Sequence, residues 1–161
     1  MKRRTIDKIS ITLLNQKEFE LLTQLKNLLK EQLRILLHLV KSRNIPFTIM
    51  ILKTTNECIN EIRKNIREYD LVFQIPNKEN HYLIILQNTN ITNAIEIGSR
   101  LSSLIKREFI IKKEIIYNQI ALISIQEPIE IEEVLYQIVT SLKQTTIDKS
   151  EKQLWEKIIK L

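Results

Sequence analysis

Arg67 and Asp70 are the residues of this chain with the most to offer chemically. They stand where a predicted helix gives way to a predicted strand. A planar guanidinium three residues from a carboxylate can form bidentate hydrogen bonds, either to a ligand or to that neighbour. The same two residues have a structural use: Arg67 as the cation that a helix C-terminus favours, and Asp70 as an acceptor for backbone at the start of the strand. The structural use is the one the residues by themselves favour, and the binding use stays open beside it.

Other candidates carry less. His38 lies on a predicted long helix and His81 near a predicted turn, with no acidic or cysteine cluster next to either, so a metal role has little support. The serines lack the surroundings of a nucleophile elbow, and two distant histidines do not suggest a triad. Cys58 is the single cysteine; it cannot form an internal disulfide, and a buried thiol in a reducing cytoplasm is expected. Glu130, Glu132 and Glu133 form the acidic start of a helix, where negative charge complements the dipole. Lys106, Arg107, Lys112 and Lys113 are the densest basic group. An RNA-binding sheet would display several aromatics, whereas the strand YLIIL offers only Tyr82, so solvated lysines are expected and nucleic acid is a disfavoured partner.

Glycine is the strongest compositional signal. Average usage would give about eleven in a chain of this length, and Gly98 is the only one. Loops that wrap phosphate need glycine for close approach and positive φ, so dinucleotide-binding and Walker-type loops are absent. No cofactor is expected. The chain has 161 residues, 43% hydrophobic and 27% charged, with a net charge of +6. These values suit one soluble domain spanning residues 1–161. No apolar run approaches the roughly 18 residues of a membrane span, and Met1-Lys2-Arg3-Arg4 is followed by charge and polarity where a signal peptide would be apolar. A cytoplasmic protein is expected.

The elements that must position these residues follow from periodicity. Asn15-x-x-Glu18 is a capping box for a long amphipathic helix reaching about Lys41, with Leu22, Leu25, Leu29, Leu36 and Val40 on one face. Phe47–Leu52 reads as a buried strand. Thr54-x-x-Glu57 caps a second helix ending near Tyr69, and the strands LVFQI and YLIIL flank a polar turn. A helix from about Thr92 carries Gly98 inside its apolar face, which predicts a close approach there. Two β-like runs, Phe109–Tyr117 and Gln119–Ile125, precede a helix over Ile129–Lys143. A short terminal helix from Ser150 presents Leu154, Trp155, Ile158 and Leu161, either to the domain's own core or to a second chain in a homodimer. The core order β-α-β-β-α-β is that of ferredoxin-like folds, an α+β antiparallel sheet with helices on one face, here with flanking helices at both ends.

The stretch Arg67–Leu86, REYDLVFQIPNKENHYLIIL, resembles the signature region of GGDEF domains, the diguanylate cyclases, in which Arg-x-x-Asp precedes a strand and the turn reads Gly-Gly-Asp/Glu-Glu-Phe. The likeness extends over nearly the whole chain, with Leu13, Asn15 and Phe19 falling at points similar to the family's opening motif. It implies a nucleotidyl-cyclase-like fold. It also implies losses: the positions matching the family's Asp-x-Asp magnesium ligands are Lys53 and Thr55, and a lysine ammonium repels a divalent cation. The turn Pro76-Asn77-Lys78-Glu79-Asn80-His81 has no glycine, and one helix of the base-binding region has no room between Lys53 and Arg67. Arg67 and Asp70 match the family's inhibitory site for cyclic di-GMP. The expected protein is therefore a degenerate, catalytically inactive GGDEF-like regulatory module that acts through another protein. A cyclic di-GMP receptor using Arg67 and Asp70, and a basic nucleic-acid-associated protein, are the alternatives.

Overall fold

The computed structural model describes residues 14–143 and 154–161. Helix α1 spans Gln16–Arg43; the Asn15 side chain caps it by accepting from Glu18 N at 2.8 Å, and it stops at Asn44, whose φ of 53° no further helical turn can follow. Its leucine stripe, from Leu21 to Leu36 and on to Val40, is buried. Strand β1 (Phe47–Thr54) is buried along its whole length. Helix α2 covers only Ile59–Asn65. The Thr54-x-x-Glu57 box does not form, because Thr54 is still in the strand and its hydroxyl donates to Asn56 O at 2.6 Å. Cys58 opens the helix instead, its N–H bonded to the Tyr82 hydroxyl at 3.0 Å.

Strands β2 (Leu71–Gln74) and β3 (His81–Gln87) form the expected hairpin. Helix α3 runs from Ile91 to Ile111, capped by Asn90. Strand β4 is Asn118–Ile125, helix α4 is Ile131–Ser141, and strand β5 is Trp155–Lys160. The sheet order is β2-β3-β1-β4-β5. Its first four strands are antiparallel in the split βαβ arrangement, and β5 joins β4 in parallel. The fold is α+β. Among the described residues, no helix is long and apolar enough to cross a membrane.

Three further expectations are corrected. The sheet is mixed, not wholly antiparallel, and helices cover both of its faces. Leucines of α1 and Val134, Leu135 and Ile138 of α4 pack on Phe47, Ile49 and Ile51, while α2 and α3 pack on Met50, Leu52 and Ile84. Strict alternation along a strand buried on both faces makes this possible and hides it from hydropathy. The run Phe109–Tyr117 is not a strand, since Phe109 continues the buried stripe of Leu101 and Ile105 and α3 extends to Ile111. The terminal segment is a strand, not a helix: Ile159 and Leu161 face the α1–α4 layer while Trp155 faces α3, and the open edge of β4 supplies its hydrogen bonds. The expected helix start at Ser150 and the motif residue Leu13 lie outside the described residues.

Gly98 meets the expectation of close approach. An ideal Cβ there would stand 2.8 Å from Trp155 Cη2 and 3.2 Å from Met50 Cε. The group that needs the space is chiefly an indole ring seated on the helix.

Candidate functional site

The candidate site lies around the β2–β3 hairpin and the chain on either side of it. The turn closes through Ile75 N to His81 O at 3.0 Å and Lys78 N to Ile75 O at 3.2 Å. Asn77 and Asn80 supply its left-handed residues, at φ 59° and 58°. Asparagine tolerates that region because its short amide bonds locally, so the turn is built without glycine. Both amides are used: Asn77 Nδ2 donates to Gln24 Oε1 of α1 at 3.4 Å, and Asn80 Nδ2 donates to Thr55 O at 3.3 Å. His81 Nδ1 lies 2.6 Å from Glu79 O, a contact that suits the tautomer with its proton on Nδ1.

Cross-strand register sets Lys53 opposite His81 on β3 and opposite Gln119 on β4. Lys53 is 1% exposed, and its ammonium donates to the Ser141 carbonyl at the end of α4 over 2.9 Å. A cation at a helix C-terminus meets the negative end of the dipole and a carbonyl that lacks a helical partner. Thr55 is likewise engaged: its hydroxyl donates to Asn56 Oδ1 at 2.7 Å and accepts from Tyr117 N at 3.0 Å. A magnesium ion does not fit these residues. The two positions offer a buried ammonium and one committed hydroxyl where a hard cation needs carboxylate oxygens.

Arg67 and Asp70 are brought together. Arg67 Nε donates to Asp70 Oδ2 at 2.7 Å and Nη2 to Oδ1 at 2.9 Å, a bidentate pair in which the aspartate side chain is 1% exposed and the arginine 30%. Asp70 also accepts from the backbone N–H of Arg67 at 3.3 Å and of Gln87 at 3.2 Å. Arg67 Nη2 reaches Gln87 O at 3.2 Å and Thr89 Oγ1 at 2.7 Å. The Asp70 hydrogen bond is the chief reason that the guanidinium is held above its ordinary pKa. The pair thus clamps the α2–β2 connection to the far end of β3. Arg67 also lies over the half-exposed Tyr69 ring, 4.8 Å from its centroid.

Gln87, Thr89 and Ser141 belong to this arrangement and carry no sequence signal, because each meets its partner only through the strand register or helix packing. Beside the hairpin, the N-terminal turns of α1 and the end of α4 leave a groove of about 710 Å³, lined among others by Gln24, Asn77, Leu142 and Lys143. Lys143 pairs with Glu18 there at 3.2 Å.

The remaining candidates have structural settings. Glu132 opens α4 and pairs with Lys26 at 3.3 Å. His38 is exposed on α1. Cys58 is fully buried, and desolvation pushes its thiol up to about 11; desolvation also pushes Tyr82 up to about 12. Lys112 pairs with Glu61 at 2.7 Å, while Arg107 and Lys113 are exposed.

No protein-family model and no curated protein matches the chain. Among solved structures, it is similar to the diguanylate cyclase SiaD from Pseudomonas aeruginosa, solved in complex with its activator SiaC. The TM-score is 0.56 at 10% identity, covering 84% of this chain and 58% of that one. The chain therefore spans little more than half the length of that neighbour, and the likeness is one of fold: this chain has the α+β fold of a diguanylate cyclase.

Proposed function

We propose that this protein is a GGDEF-like regulatory module, a single domain over residues 1–161, that binds another protein in cyclic di-GMP signalling and does not make the dinucleotide. One observation carries the reading: Lys53 occupies the end of β1 that matches a metal-binding carboxylate, and its buried ammonium holds the last carbonyl of α4. That position is committed to packing. The glycine-free hairpin, with both turn amides bonded elsewhere, supports the same reading. The similar cyclase SiaD is held with an activator protein, which fits a fold able to dock a partner. Incubating the protein with GTP and magnesium or manganese should yield no cyclic di-GMP by chromatography, and steady turnover would overturn the proposal.

A second reading is that the protein is a receptor for cyclic di-GMP through Arg67 and Asp70. It is favoured by the stacking of Arg67 on the half-exposed Tyr69 ring. It is limited by the commitment of Asp70 to internal bonds. Calorimetry with cyclic di-GMP tests it: saturable heat that Tyr69→Ala weakens would support a receptor, and a flat titration would remove it.

A further inference from the structure

The end of α3 puts an apolar apex on a charged surface. Ile110, Ile111 and Ile115 are 70%, 75% and 69% exposed, and every residue from Ile110 to Ile115 is exposed. Phe109 and Ile116, immediately on either side, are buried. The tip is therefore anchored at both ends by the core and stands out between them. Its reversal is locked by Lys113 N to Ile110 O at 2.9 Å and Glu114 N to Phe109 O at 2.8 Å, with Lys113 at φ 62°. A helix stop of this form usually takes glycine or asparagine. Every other positive-φ residue described is asparagine: Asn44, Asn77, Asn80 and Asn88. Here a lysine accepts the disfavoured conformation.

The charges around the apex are mostly positive. Lys106, Arg107, Lys112 and Lys113 face Glu108 and Glu114 along the same segment, and Glu61 from α2 engages Lys112. Lys64 also lies close enough to Glu61 to act on its carboxylate.

We propose that this tip seats on the surface of an anionic lipid bilayer, with the three isoleucines entering the boundary between headgroups and acyl chains and Lys106, Arg107 and Lys113 meeting lipid phosphates. An apolar apex with more cations than carboxylates beside it suits an anionic interface, through apolar burial and surface potential together. The shape favours a soft, continuous acceptor over a protein pocket, because the isoleucines project from a convex turn. A second copy of the chain is disfavoured, since matching the two tips would oppose their lysines and arginines.

The test is cosedimentation of the full chain with vesicles of phosphatidylcholine alone or mixed with phosphatidylglycerol. Binding to the mixed vesicles should be at least roughly tenfold stronger and should weaken as salt rises above about 0.1 M. The double variant Ile110→Ser, Ile111→Ser should lose roughly tenfold in binding to the mixed vesicles, and Lys106→Glu with Arg107→Glu should lose the preference for them. An unchanged Trp155 emission spectrum would show that these surface variants remain folded. Three results would overturn the proposal: no vesicle binding by the parent chain, equal binding by the isoleucine variant, or a concentration-dependent dimer that the isoleucine variant abolishes while vesicles have no effect.

Discussion

Trp155 of β5 lies across Gly98 of α3, its Cη2 2.8 Å from where a Cβ would sit. The last strand is thus seated on the helix through a gap that only glycine leaves. Gly98→Ala would gain roughly 1 kcal/mol of helix propensity, but the methyl must displace the indole, and overpacking of this kind costs about 1–3 kcal/mol. A net loss of about 1 kcal/mol is expected in urea denaturation. Trp155 is the single tryptophan, so its native emission should move as well. A more stable variant with unchanged emission would contradict the packing described.

Arg67→Ala should be among the more damaging single changes away from the apolar core. It leaves the Asp70 carboxylate, 1% exposed, with backbone donors alone, and breaking a buried pair from one side costs about 3 kcal/mol or more. The double variant Arg67→Ala, Asp70→Ala should lose less than the sum of the two single changes, measured as a mutant cycle by chemical denaturation.

The Glu61–Lys112 pair predicts a pH signature. Hydrogen bonding to Lys112 holds the Glu61 carboxyl below its ordinary 4.5, and the same bond holds the lysine above 10.5. A lowered folded pKa gives stability that is present above the unfolded value and lost as pH falls through the folded one. A raised folded pKa gives stability that is present below the unfolded value and lost as pH rises through the folded one. Parent and Glu61→Gln proteins should therefore differ in Tm between pH 4.5 and pH 10.5, and the difference should shrink as pH falls below 4.5 through the lowered Glu61 pKa or rises above 10.5 through the raised Lys112 pKa. A constant difference across the whole range would show that the pair contributes nothing.

Cys58 should be inert in the folded protein. Its burial and a thiol pushed up to about 11 leave almost no accessible thiolate at pH 8. A disulfide reagent such as Ellman's should react slowly in buffer and at once in guanidinium chloride.

Lys53→Ala should cost about 2 kcal/mol or more, through lost packing of the stem and a Ser141 carbonyl left without its donor. Because the loss falls on the α4 end, amide exchange there should accelerate more than in β1.

Much of this molecule could be read from residue patterns. Asn15 marks a helix start through a local bond, and the hairpin strands show in their own composition, so nearest-neighbour chemistry was sufficient there. Gly98 was legible as a close approach, but its partner lay 57 positions away on an element expected to be helical. The strand at Trp155 was missed because WEKIIK has no strong local preference and the edge of β4 decides it, an override of propensity by tertiary hydrogen bonding. The pairing of Arg67 with Asp70 was within reach of a local reading. The further bonds to Gln87 and Thr89 depend on how the hairpin returns, which no short-range pattern encodes.

Asparagine carries each left-handed bend of the hairpin, and both its carboxamides are tied down, one to α1 and one to the chain after β1. The projection is consequently braced from two sides. A binding partner would find that surface already in its final form and would lose little conformational freedom in docking on it.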